Sequence, residues 1–463
     1  MGVVALRPAD ALIGEIAVPG DKSVSHRSIM LAGLASTPVV VRNFLRADDC
    51  WSTVNCMRAL GVSVEELPDG DLVVTGRGLY GLTEPPDVLD AGNSGTTLRL
   101  LTGILGPQPF FSVLTGDESL RSRPQARVIQ PLTRMGCRII GRENSRYAPL
   151  AIAPAGEIAG IEYDLPVASA QVKSAILLAG LYAAGPTWVT EPYPSRDHTE
   201  NMLQMFGVKV MRSGNRVGVA PAETLLPPDR IDVPGDISSA AFWIVAASII
   251  PESLLTIPKI GCNPTRTGII DVLGRMGADI SVSGPAAGRE HIEPVADITV
   301  RSSRLKGVTV DPDIVPRLID EIPALIVAAV FAEGRTVIRG AEELRVKETD
   351  RLAAMAGELK KLGVEVTETP DGMIIDGPQR PKFGCCQARG DHRIAMALAV
   401  AGMAGDGVQI EGWECVTISY PDFFAQVEML HPGACDGSGI RDRRLPHGRP
   451  PVLSPGTVPE GSR

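Results

Sequence analysis

Aromatic residues and excess positive charge are scarce in this sequence. Its 463 residues include 4 Trp, 6 Tyr and 9 Phe, and 45 Lys and Arg face 54 Asp and Glu, a formal net charge of −9. Dedicated nucleic-acid-binding proteins present basic stripes or aromatic stacking platforms, so this class is disfavoured. The 8 cysteines form no C-x-x-C pair and no Cys/His cluster at zinc spacing. This scatter argues against a disulfide scaffold and against a metal site.

Long hydrophobic runs are also missing. The apolar stretch at 242–250 is far shorter than the roughly 20 residues that cross a bilayer. The first apolar stretch is interrupted by Arg7, Asp10 and Glu15, which is not typical of a signal peptide. We therefore expect a cytoplasmic protein that does not enter a membrane.

Glycine and proline are abundant instead, with 49 and 38 residues. Many of the glycines belong to a turn of small residues that precedes a small, apolar, helix-like run. This turn occurs six times, at intervals of about 65–85 residues, at 20–23, 92–97, 168–171, 235–239, 320–323 and 390–393. Such self-similarity at a regular period indicates six related structural units.

A second glycine context marks the opposite end of the unit. The first of five similar segments is Leu60-Gly61-Val62, and the corresponding later glycines are Gly136, Gly207, Gly277 and Gly363. A glycine here typically ends a helix, and the alternating apolar residues that follow predict a strand. Pro-Asp-Gly at 68–70 and 370–372 predicts hairpin turns. We expect each unit to run βαβαββ, with helices over 349–362 and 421–430 in the last two units.

A coarser repeat divides the chain into two domains. The segment Val18–Asp21 (Val-Pro-Gly-Asp) returns 215 residues later as Val233–Asp236. Because a single core stops growing near about 250–300 residues, we predict one domain over 21–232 and a second over 1–20 plus 233–430. Residues 3–18 would supply the strand that the sixth unit lacks. Residues 431–463, with 12 Gly or Pro among 33, are expected to form a disordered tail.

Cations concentrate at the predicted helix starts although the protein is acidic. Free N–H groups and the helix dipole favour anions there, and a basic side chain adds to this attraction. The basic residues concerned are Lys22, Arg27, Arg99, Arg123, Arg196, Lys347, Arg351 and Arg393. For any one start, an ordinary helix cap with solvated charges explains the pattern equally well. Six starts arranged by a repeat favour convergence on one anion-binding cleft between the domains.

Two carboxylates stand out among these cations. Asp320 precedes Pro323 and an apolar run, where it either caps a helix or serves as an acid or base. Glu348 lies in the densest polar segment, and on a helix Lys347 and Arg351 would share a face with it. A salt-bridged surface face explains that segment as well. Together, Asp320 and Glu348 form a candidate acid/base pair.

These motifs resemble the EPSP synthase (3-phosphoshikimate 1-carboxyvinyltransferase) family. The resemblance covers residues 1 to about 430 and rests on six segments, at 20–27, 93–99, 119–124, 169–171, 345–351 and 391–396. It implies an α/β (α+β) fold, a two-domain inside-out α/β barrel of six βαβαββ units. It also implies a monomer that transfers the enolpyruvyl group of phosphoenolpyruvate to the 5-hydroxyl of shikimate 3-phosphate, with no metal and no organic cofactor.

The resemblance assigns residue roles by position. Asp320 and Glu348 would move protons, and Lys22 would stabilise the departing phosphate. The residues implied for shikimate 3-phosphate are Lys22, Ser23, Arg27, Ser169, Ala170, Gln171, Arg196, Asp320 and Lys347. The residues implied for phosphoenolpyruvate are Lys22, Gly95, Arg123, Gln171, Arg351 and Arg393.

Some positions depart from the family's usual pattern. Ala170 stands where many members have a serine, which leaves only a backbone contact. Ile418 stands where a lysine is common, and Glu343 where an asparagine is common. Gly95 is the form without a methyl group beside the phosphoenolpyruvate site, which favours inhibition by glyphosate.

Two other functions are compatible with parts of the pattern. The sister enolpyruvyl transferase that acts on UDP-N-acetylglucosamine shares the fold, but it typically carries a cysteine in a loop of its second unit. Residues 116–125 contain no cysteine. A non-catalytic, anion-binding repeat scaffold would have no need of Asp320 and Glu348 among so many cations.

Overall fold

The computed structural model describes residues 2–284 and 293–436. Its strands are β1 (Val3–Leu6), β2 (Ile13–Glu15), β3 (Val39–Arg42), β4 (Ser63–Glu66), β5 (Leu72–Thr75), β6 (Leu89–Asp90), β7 (Ser112–Thr115), β8 (Arg138–Gly141), β9 (Tyr147–Ala153), β10 (Glu162–Asp164), β11 (Thr187–Thr190), β12 (Val210–Ser213), β13 (Arg216–Val219), β14 (Arg230–Asp232), β15 (Leu254–Gly261), β16 (Asp279–Ser283), β17 (Val295–Arg301), β18 (Thr309–Val310), β19 (Gly334–Ile338), β20 (Val366–Thr369), β21 (Gly372–Gly377), β22 (Cys385–Gln387), β23 (Val408–Glu411) and β24 (Cys435–Asp436). Its helices are α1 (Lys22–Gly33), α2 (Asp48–Ala59), α3 (Gly95–Leu105), α4 (Glu118–Ser122), α5 (Ala126–Met135), α6 (Arg142–Ser145), α7 (Ala170–Gly180), α8 (His198–Met205), α9 (Ile237–Ile249), α10 (Gly268–Arg275), α11 (Ile322–Phe331), α12 (Arg351–Lys361), α13 (His392–Ala404) and α14 (Phe423–Leu430).

The strands form six sheets of four strands each. In the second unit, β6 lies parallel to β7, β7 lies antiparallel to β9, and β8 lies antiparallel to β9. The parallel pair requires a crossover connection, and α3 supplies it. All six sheets repeat this pairing pattern. The predicted βαβαββ order is therefore confirmed.

The first helices of the units lie inside, and the sheets lie outside them. Helix α3 contacts α1 and α7, and α9, α11 and α13 all contact one another. Helices α9, α11 and α13 are buried along nearly their whole length, because a helix that is apolar all round is stable only in the interior. The expected two-domain, inside-out α/β architecture is confirmed. Within the described ranges, none of these helices is long and apolar enough to span a membrane.

The chain crosses between its two halves at the repeated Val-Pro-Gly-Asp segments. Strand β2 precedes α1 but pairs with β15 of the fourth unit, and β14 precedes α9 but pairs with β3 of the first unit. The two segments bond to each other, because Asp21 N–H donates to the Pro234 carbonyl (2.7 Å) and Asp236 N–H donates to the Pro19 carbonyl (2.9 Å). The repeated motif is thus a paired crossing.

Two separate hydrophobic cores underlie the two halves. Residues between Val24 and Val233 form the first core. Residues 4–18 join residues 237–435 in the second core. Strand β1 pairs with β23 and β24 in the sixth sheet, so the N-terminal segment supplies the strand that the sixth unit was predicted to lack.

Caps and glycines fix the ends of the repeated helices. The side chains of Asp21, Ser94, Asp236 and Asp391 accept hydrogen bonds from N–H groups in the first turns of α1, α3, α9 and α13. The five glycines predicted to end helices all have left-handed φ angles, between 72° and 110°. This backbone conformation strains residues that carry a Cβ. Both Pro-Asp-Gly segments connect antiparallel hairpin strands, as predicted.

Two predicted boundaries are wrong. The helix expected over 349–362 begins at Arg351, because the Asp350 side chain caps it at Ala353 N–H. Lys347 and Glu348 precede this helix, so they do not share a helical face with Arg351. The start of the tail expected at residue 431 is also wrong, since β24 pairs with β1 and Cys435 is buried. Residues 431–436 have no alternation of apolar and polar residues, so the strand becomes evident only from its pairing with β1. Residues 437–463 lie outside the described residues.

Candidate active site

The first helices of all six units begin at one cavity of about 400 Å³. One lining residue from each start illustrates this convergence: Lys22, Thr96, Gln171, Ser238, Asp320 and His392. The N-caps hold the first turns in place, and Asp21, for example, accepts from Val24 N–H at 2.9 Å. The predicted convergence on one cleft is therefore confirmed.

Each unit also sends a cation to the cavity wall. In unit order, examples are Lys22, Arg123, Arg196, Arg266, Lys347 and Arg393. Of these, Lys22 and Arg393 lie at first-helix starts, whereas Arg196 and Arg266 precede the second helices of their units. The wall is thus basic although the whole chain carries a formal net charge of −9.

Asp320 lies within a ring of basic side chains. It pairs with Arg196 from the first half, and Arg351 Nη1 lies 3.2 Å from its Oδ1. Arg393 Nη1 donates to its backbone carbonyl at 2.7 Å. Burial by itself raises the pKa of Asp320, but Arg196, Arg393 and further cations outweigh burial and hold that pKa well below its usual value. Asp320 is therefore ionised in the free protein, and α11 has no side-chain cap bond from it.

Glu348 shares a guanidinium with Asp320. Arg351 donates to Glu348 Oε2 at 2.6 Å, and Arg351 Nε donates to Asp391 Oδ2 at 2.8 Å. Arg123 Nη1 approaches Glu348 Oε1 at 4.0 Å. Burial raises the pKa of Glu348, whereas Arg351 and Arg123 contribute most to holding it well below its usual value. One buried arginine thus fixes both candidate acid/base groups in place.

Lys22 forms an ion pair with Asp49 at the opposite wall. Burial lowers the pKa of Lys22, but Asp49 and the more distant Glu348 reverse this effect and raise it above its ordinary value. Lys22 therefore stays an ammonium group at neutral pH. An ammonium group in this position can stabilise a phosphate or a developing negative charge.

Gln171 and Gly95 lie beside Arg99. Gln171 accepts from Arg99 and donates to Thr96 Oγ1 at 2.9 Å. A Cβ at Gly95 would lie 3.1 Å from Arg99 Nη1 and 3.8 Å from Arg123 Nη1. Gly95 therefore leaves the space in front of two guanidinium groups open.

The predicted site residues divide into two groups by position. The larger group lines the cavity and comprises Lys22, Ser23, Gly95, Arg123, Ser169, Ala170, Gln171, Arg196, Asp320, Lys347, Glu348 and Arg393. Arg27 and Arg351 are not among the lining residues; they lie behind the wall and are 4% and 1% exposed. Arg27 donates to Thr199 Oγ1 at 2.7 Å and to Ser174 Oγ at 2.9 Å.

Sequence reasoning missed several lining residues. They include Asp49, Asn93, Asp236, Ser238 and Arg266. Asp236 and Ser238 lie in the fourth helix start, so the repeat itself pointed to them. Asp49 and Arg266 lie near the starts of second helices, where no repeat signal marked the chain. In residues 2–284 and 293–436, no three His, Cys, Asp or Glu side chains are grouped as a metal site.

The residues that depart from the family's usual pattern lie at different places relative to the cavity. Glu343 lines the cavity and accepts from Arg127 Nη1 at 2.8 Å, which links the two halves across the cleft. Ile418 ends the short 3₁₀ helix Trp413–Ile418 and is not among the lining residues of the described cavity. Ala170 is the first residue of α7 and lines the cavity, and its methyl side chain has no hydrogen-bonding group.

Comparisons with known sequences identify the family. The sequence model of the family described as EPSP synthase (3-phosphoshikimate 1-carboxyvinyltransferase) matches residues 6–427. The chain is 58% identical over 420 residues to a 3-phosphoshikimate 1-carboxyvinyltransferase of Desulforudis audaxviator, covering 90% of this chain and 97% of the relative. A relative of the same name from Pelotomaculum thermopropionicum is 55% identical over 414 residues, covering 89% and 95%.

Solved structures show the same likeness. EPSP synthase from Acinetobacter baumannii has a TM-score of 0.84 at 43% identity, covering 95% of this chain and 100% of that structure. The enolpyruvyl transferase NikO from Streptomyces tendae has a TM-score of 0.74 at 19% identity, covering 94% and 98%, and at that identity it shows the fold alone. A family match that spans nearly the whole chain, relatives above 50% identity and six helix starts around one basic cavity lead to the same result: the chain belongs to the EPSP synthase family.

Proposed function

We propose that this protein transfers the enolpyruvyl group of phosphoenolpyruvate to the 5-hydroxyl of shikimate 3-phosphate, with release of phosphate. This reaction belongs to the shikimate pathway toward chorismate and the aromatic amino acids. One observation carries the proposal. Two partly buried carboxylates, Asp320 and Glu348, with 14% and 16% of their side-chain surface accessible, face a cavity to which each of the six units contributes a cation. Both substrates are polyanions, so a cavity lined by these cations would attract them.

The two walls suggest where each substrate binds. Shikimate 3-phosphate would contact Lys22, Ser23, Ser169, Gln171, Arg196, Asp320 and Lys347, the backbone of Ala170, and the positive field of Arg27. Phosphoenolpyruvate would lie against Lys22, Gly95, Arg123, Gln171 and Arg393, with Arg351 behind the carboxylates. Charged groups held in a low-dielectric cavity need no reorganisation when a charge develops, which is how such sites stabilise transition states.

Addition requires two proton movements. The 5-hydroxyl oxygen attacks C2 of phosphoenolpyruvate, its proton passes to a carboxylate, and C3 gains a proton to become a methyl group. Asp320 is ionised and suits the role of base for the hydroxyl. Glu348 can supply a proton only if its pKa rises. Arrival of two polyanions would produce that rise, because they neutralise the cations that hold the pKa of Glu348 down.

Elimination reverses these movements. A proton leaves C3, the C2–O bond to phosphate breaks, and the double bond of the enolpyruvyl ether forms. Glu348 would take the proton from C3, while Lys22 would balance the charge on the departing phosphate. General acid–base help contributes about 10²–10⁴-fold to such reactions, and fixed charges contribute more.

Release of inorganic phosphate by the purified protein tests the proposal. Release should require both phosphoenolpyruvate and shikimate 3-phosphate, and the product should carry an enolpyruvyl ether by mass spectrometry. Release with UDP-N-acetylglucosamine as the sole acceptor would support the sister transferase instead. Tight binding of both substrates without any release would support a non-catalytic scaffold.

The cavity also bears on assembly and location. All six units of the chain contribute lining residues to the cavity, and we propose that a monomer is sufficient for activity. Phosphorylated substrates cross membranes poorly because burying charge in a bilayer is costly. The enzyme would therefore act in the compartment in which its substrates are made, and we propose that this is the cytoplasm.

A further inference from the structure

Arg266 lies at the place where the two chain crossings meet. It belongs to the loop between β15 and α10 and is 2% exposed. Its Nη1 lies 3.1 Å from Asp21 Oδ2, and its Nη2 lies 3.2 Å from Asp236 Oδ1 and 2.7 Å from Ser238 Oγ. One planar guanidinium therefore joins both carboxylates of the repeated Val-Pro-Gly-Asp segments.

These two carboxylates control the first turns of two helices. Asp21 caps α1, whose first residue is Lys22, and Asp236 caps α9. Two buried carboxylates this close would repel each other without a cation between them. Arg266 removes that repulsion, and its two-pronged geometry also fixes the distance between the two caps.

Arg266 also reaches the segment that carries Arg196. Its Nη1 lies 3.1 Å from His198 Nε2, and His198 is the first residue of α8. Because a guanidinium can only donate, His198 Nε2 must accept. The imidazole proton then lies on Nδ1 and is donated to Glu293 Oε1 at 2.7 Å. This chain of contacts holds His198 in one tautomer and one orientation.

The neighbouring residue of the same loop reinforces this attachment. Asn263 Nδ2 donates to Asp197 Oδ1 at 2.7 Å and to Glu293 Oε2 at 2.6 Å. Asp197 and His198, the two residues that follow Arg196, therefore both form hydrogen bonds with residues of the second half. Arg196 itself pairs with Asp320 of the second half.

We propose that Arg266 is a positioning residue, which aligns the first turn of α1 and the segment 196–198 so that Lys22 and Arg196 meet shikimate 3-phosphate together. This inference rests on the proposed function, since it names how that substrate's binding groups are arranged. Lysine cannot replace arginine here, because a single ammonium cannot bridge two carboxylates, a hydroxyl and an imidazole in one plane.

The variant R266K tests this role, with R317K as its matched control. Arg317 contacts the same loop through the Pro264 carbonyl but does not reach the two aspartates. We expect the Kd for shikimate 3-phosphate, measured by calorimetry, to rise about tenfold in R266K, because Lys22 and Arg196 would be misplaced relative to each other, and a misplacement of about 1 Å can cost up to about 10²-fold in reaction rate. In R317K it should stay within about twofold. An unchanged Kd in R266K would overturn the inference.

Amide exchange supplies a readout that does not depend on binding. Exchange at residues 21–24 and 196–200 should accelerate about tenfold in R266K, while both hydrophobic cores keep their protection. Equal acceleration throughout both cores would mean that Arg266 only stabilises the fold, and it would contradict a positioning role.

A variant that removes the cation together with both carboxylates separates positioning from simple charge compensation. R266M/D21N/D236N removes one positive and two negative charges, so the two buried carboxylates no longer repel each other. We expect it to keep the weakened affinity of R266K, and recovery of wild-type affinity would overturn the proposal. If wild-type protein releases no phosphate from the two substrates, the proposed function fails. If wild-type protein turns over and R266K binds shikimate 3-phosphate equally well, only this inference fails.

Discussion

Two buried arginines, one behind each wall of the cleft, have opposite surroundings. Arg27 of α1 donates to neutral groups, the hydroxyls of Thr199 and Ser174 and the Ser23 carbonyl. Arg351 of α12 donates to three carboxylates, those of Asp320, Glu348 and Asp391. Both side chains are almost fully buried, so the difference lies in charge and not in exposure.

The electrostatic consequences also differ. Burial lowers the pKa of Arg27 to about 10, because the carboxylates around it are too distant to compensate. Burial also disfavours the charge of Arg351, but Asp391, Glu348 and Asp320 more than reverse this and raise its pKa. We infer that Arg27 leaves an uncompensated positive field for an anionic substrate, whereas Arg351 holds the reacting carboxylates. Under the proposed function, Arg27 would help the first half to attract the substrates, and Arg351 would help the second half to organise the proton transfer.

The largest effect should come from replacing Glu348, the proposed proton-transfer group, while Arg351, which holds it in place, is kept. In E348Q, Arg351 keeps two carboxylate partners, so the fold should persist and shikimate 3-phosphate should bind within about threefold of wild type. Turnover should fall by about 10²–10⁴-fold, the usual contribution of a general acid or base. Phosphate-release kinetics and calorimetry measure the two quantities. E343Q, which changes another lining carboxylate, is the control, and unchanged turnover in E348Q would remove Glu348 from the mechanism.

The comparison between the two arginines predicts unequal stability losses. R351M leaves three carboxylates facing one another and should lower the free energy of unfolding by about 3–5 kcal/mol. R27M leaves only neutral hydrogen-bonding groups without a partner and should lower the free energy of unfolding by about 1–3 kcal/mol. Urea titration of both variants under identical conditions measures the difference. Equal losses would show that the charge of the partners does not distinguish the two walls.

The two walls should also lose stability at opposite ends of the pH range. The pKa values of Asp320 and Glu348 are depressed, so their contribution is fully present above the unfolded values near about 4 and is lost as pH falls from there through the lower folded values. The pKa of Lys22 is raised, so its contribution is present below the unfolded value of about 10.4 and is lost as pH rises through the folded value.

Two variants distinguish the loss of stability at acid pH, the acid limb of the stability curve, from the loss at alkaline pH, the alkaline limb. E348Q should flatten the acid limb of the stability curve by at most about 1.4 kcal/mol per pH unit, the slope for one proton, and K22M should flatten the alkaline limb. Denaturant unfolding between pH 3 and 11 follows both limbs. An effect of E348Q confined to alkaline pH would contradict the assignment of charges to the walls.

The smallest effect concerns a partly exposed ion pair between the two halves, that of Arg127 with Glu343. Arg127 and Glu343 are both partly exposed, with 36% and 29% of their side-chain surface accessible. E343Q should therefore change the free energy of unfolding by less than about 1 kcal/mol, and the change should disappear in 1 M salt. Thermal melts at low and high salt measure it. A salt-independent loss would mean that Glu343 acts through packing or neutral hydrogen bonds.

Much of the fold follows from local signals in the sequence. The glycines that end helices, such as Gly136 with φ 110°, have a backbone conformation that strains residues with a Cβ. Their positions in the sequence therefore indicate where these helices end. The start of α12 was misplaced by two residues, because nothing local distinguishes the cap at Asp350 from its acidic neighbours. Strand β24 escaped prediction because its residues become a strand only through pairing with β1.

The composition, the six-fold repeat and the cations at helix starts determined the architecture and the kind of ligand, since all three are properties of local chain segments. Only the tertiary structure decided which cations face the cavity and which lie behind it. Arg27 and Arg351 look alike in sequence, yet one is surrounded by hydroxyls and the other by carboxylates. Arg266 carried no signal, because its partners lie 245 and 30 residues away. Burial and pairing fix the electrostatics of a charge, and both depend on residues distant in sequence.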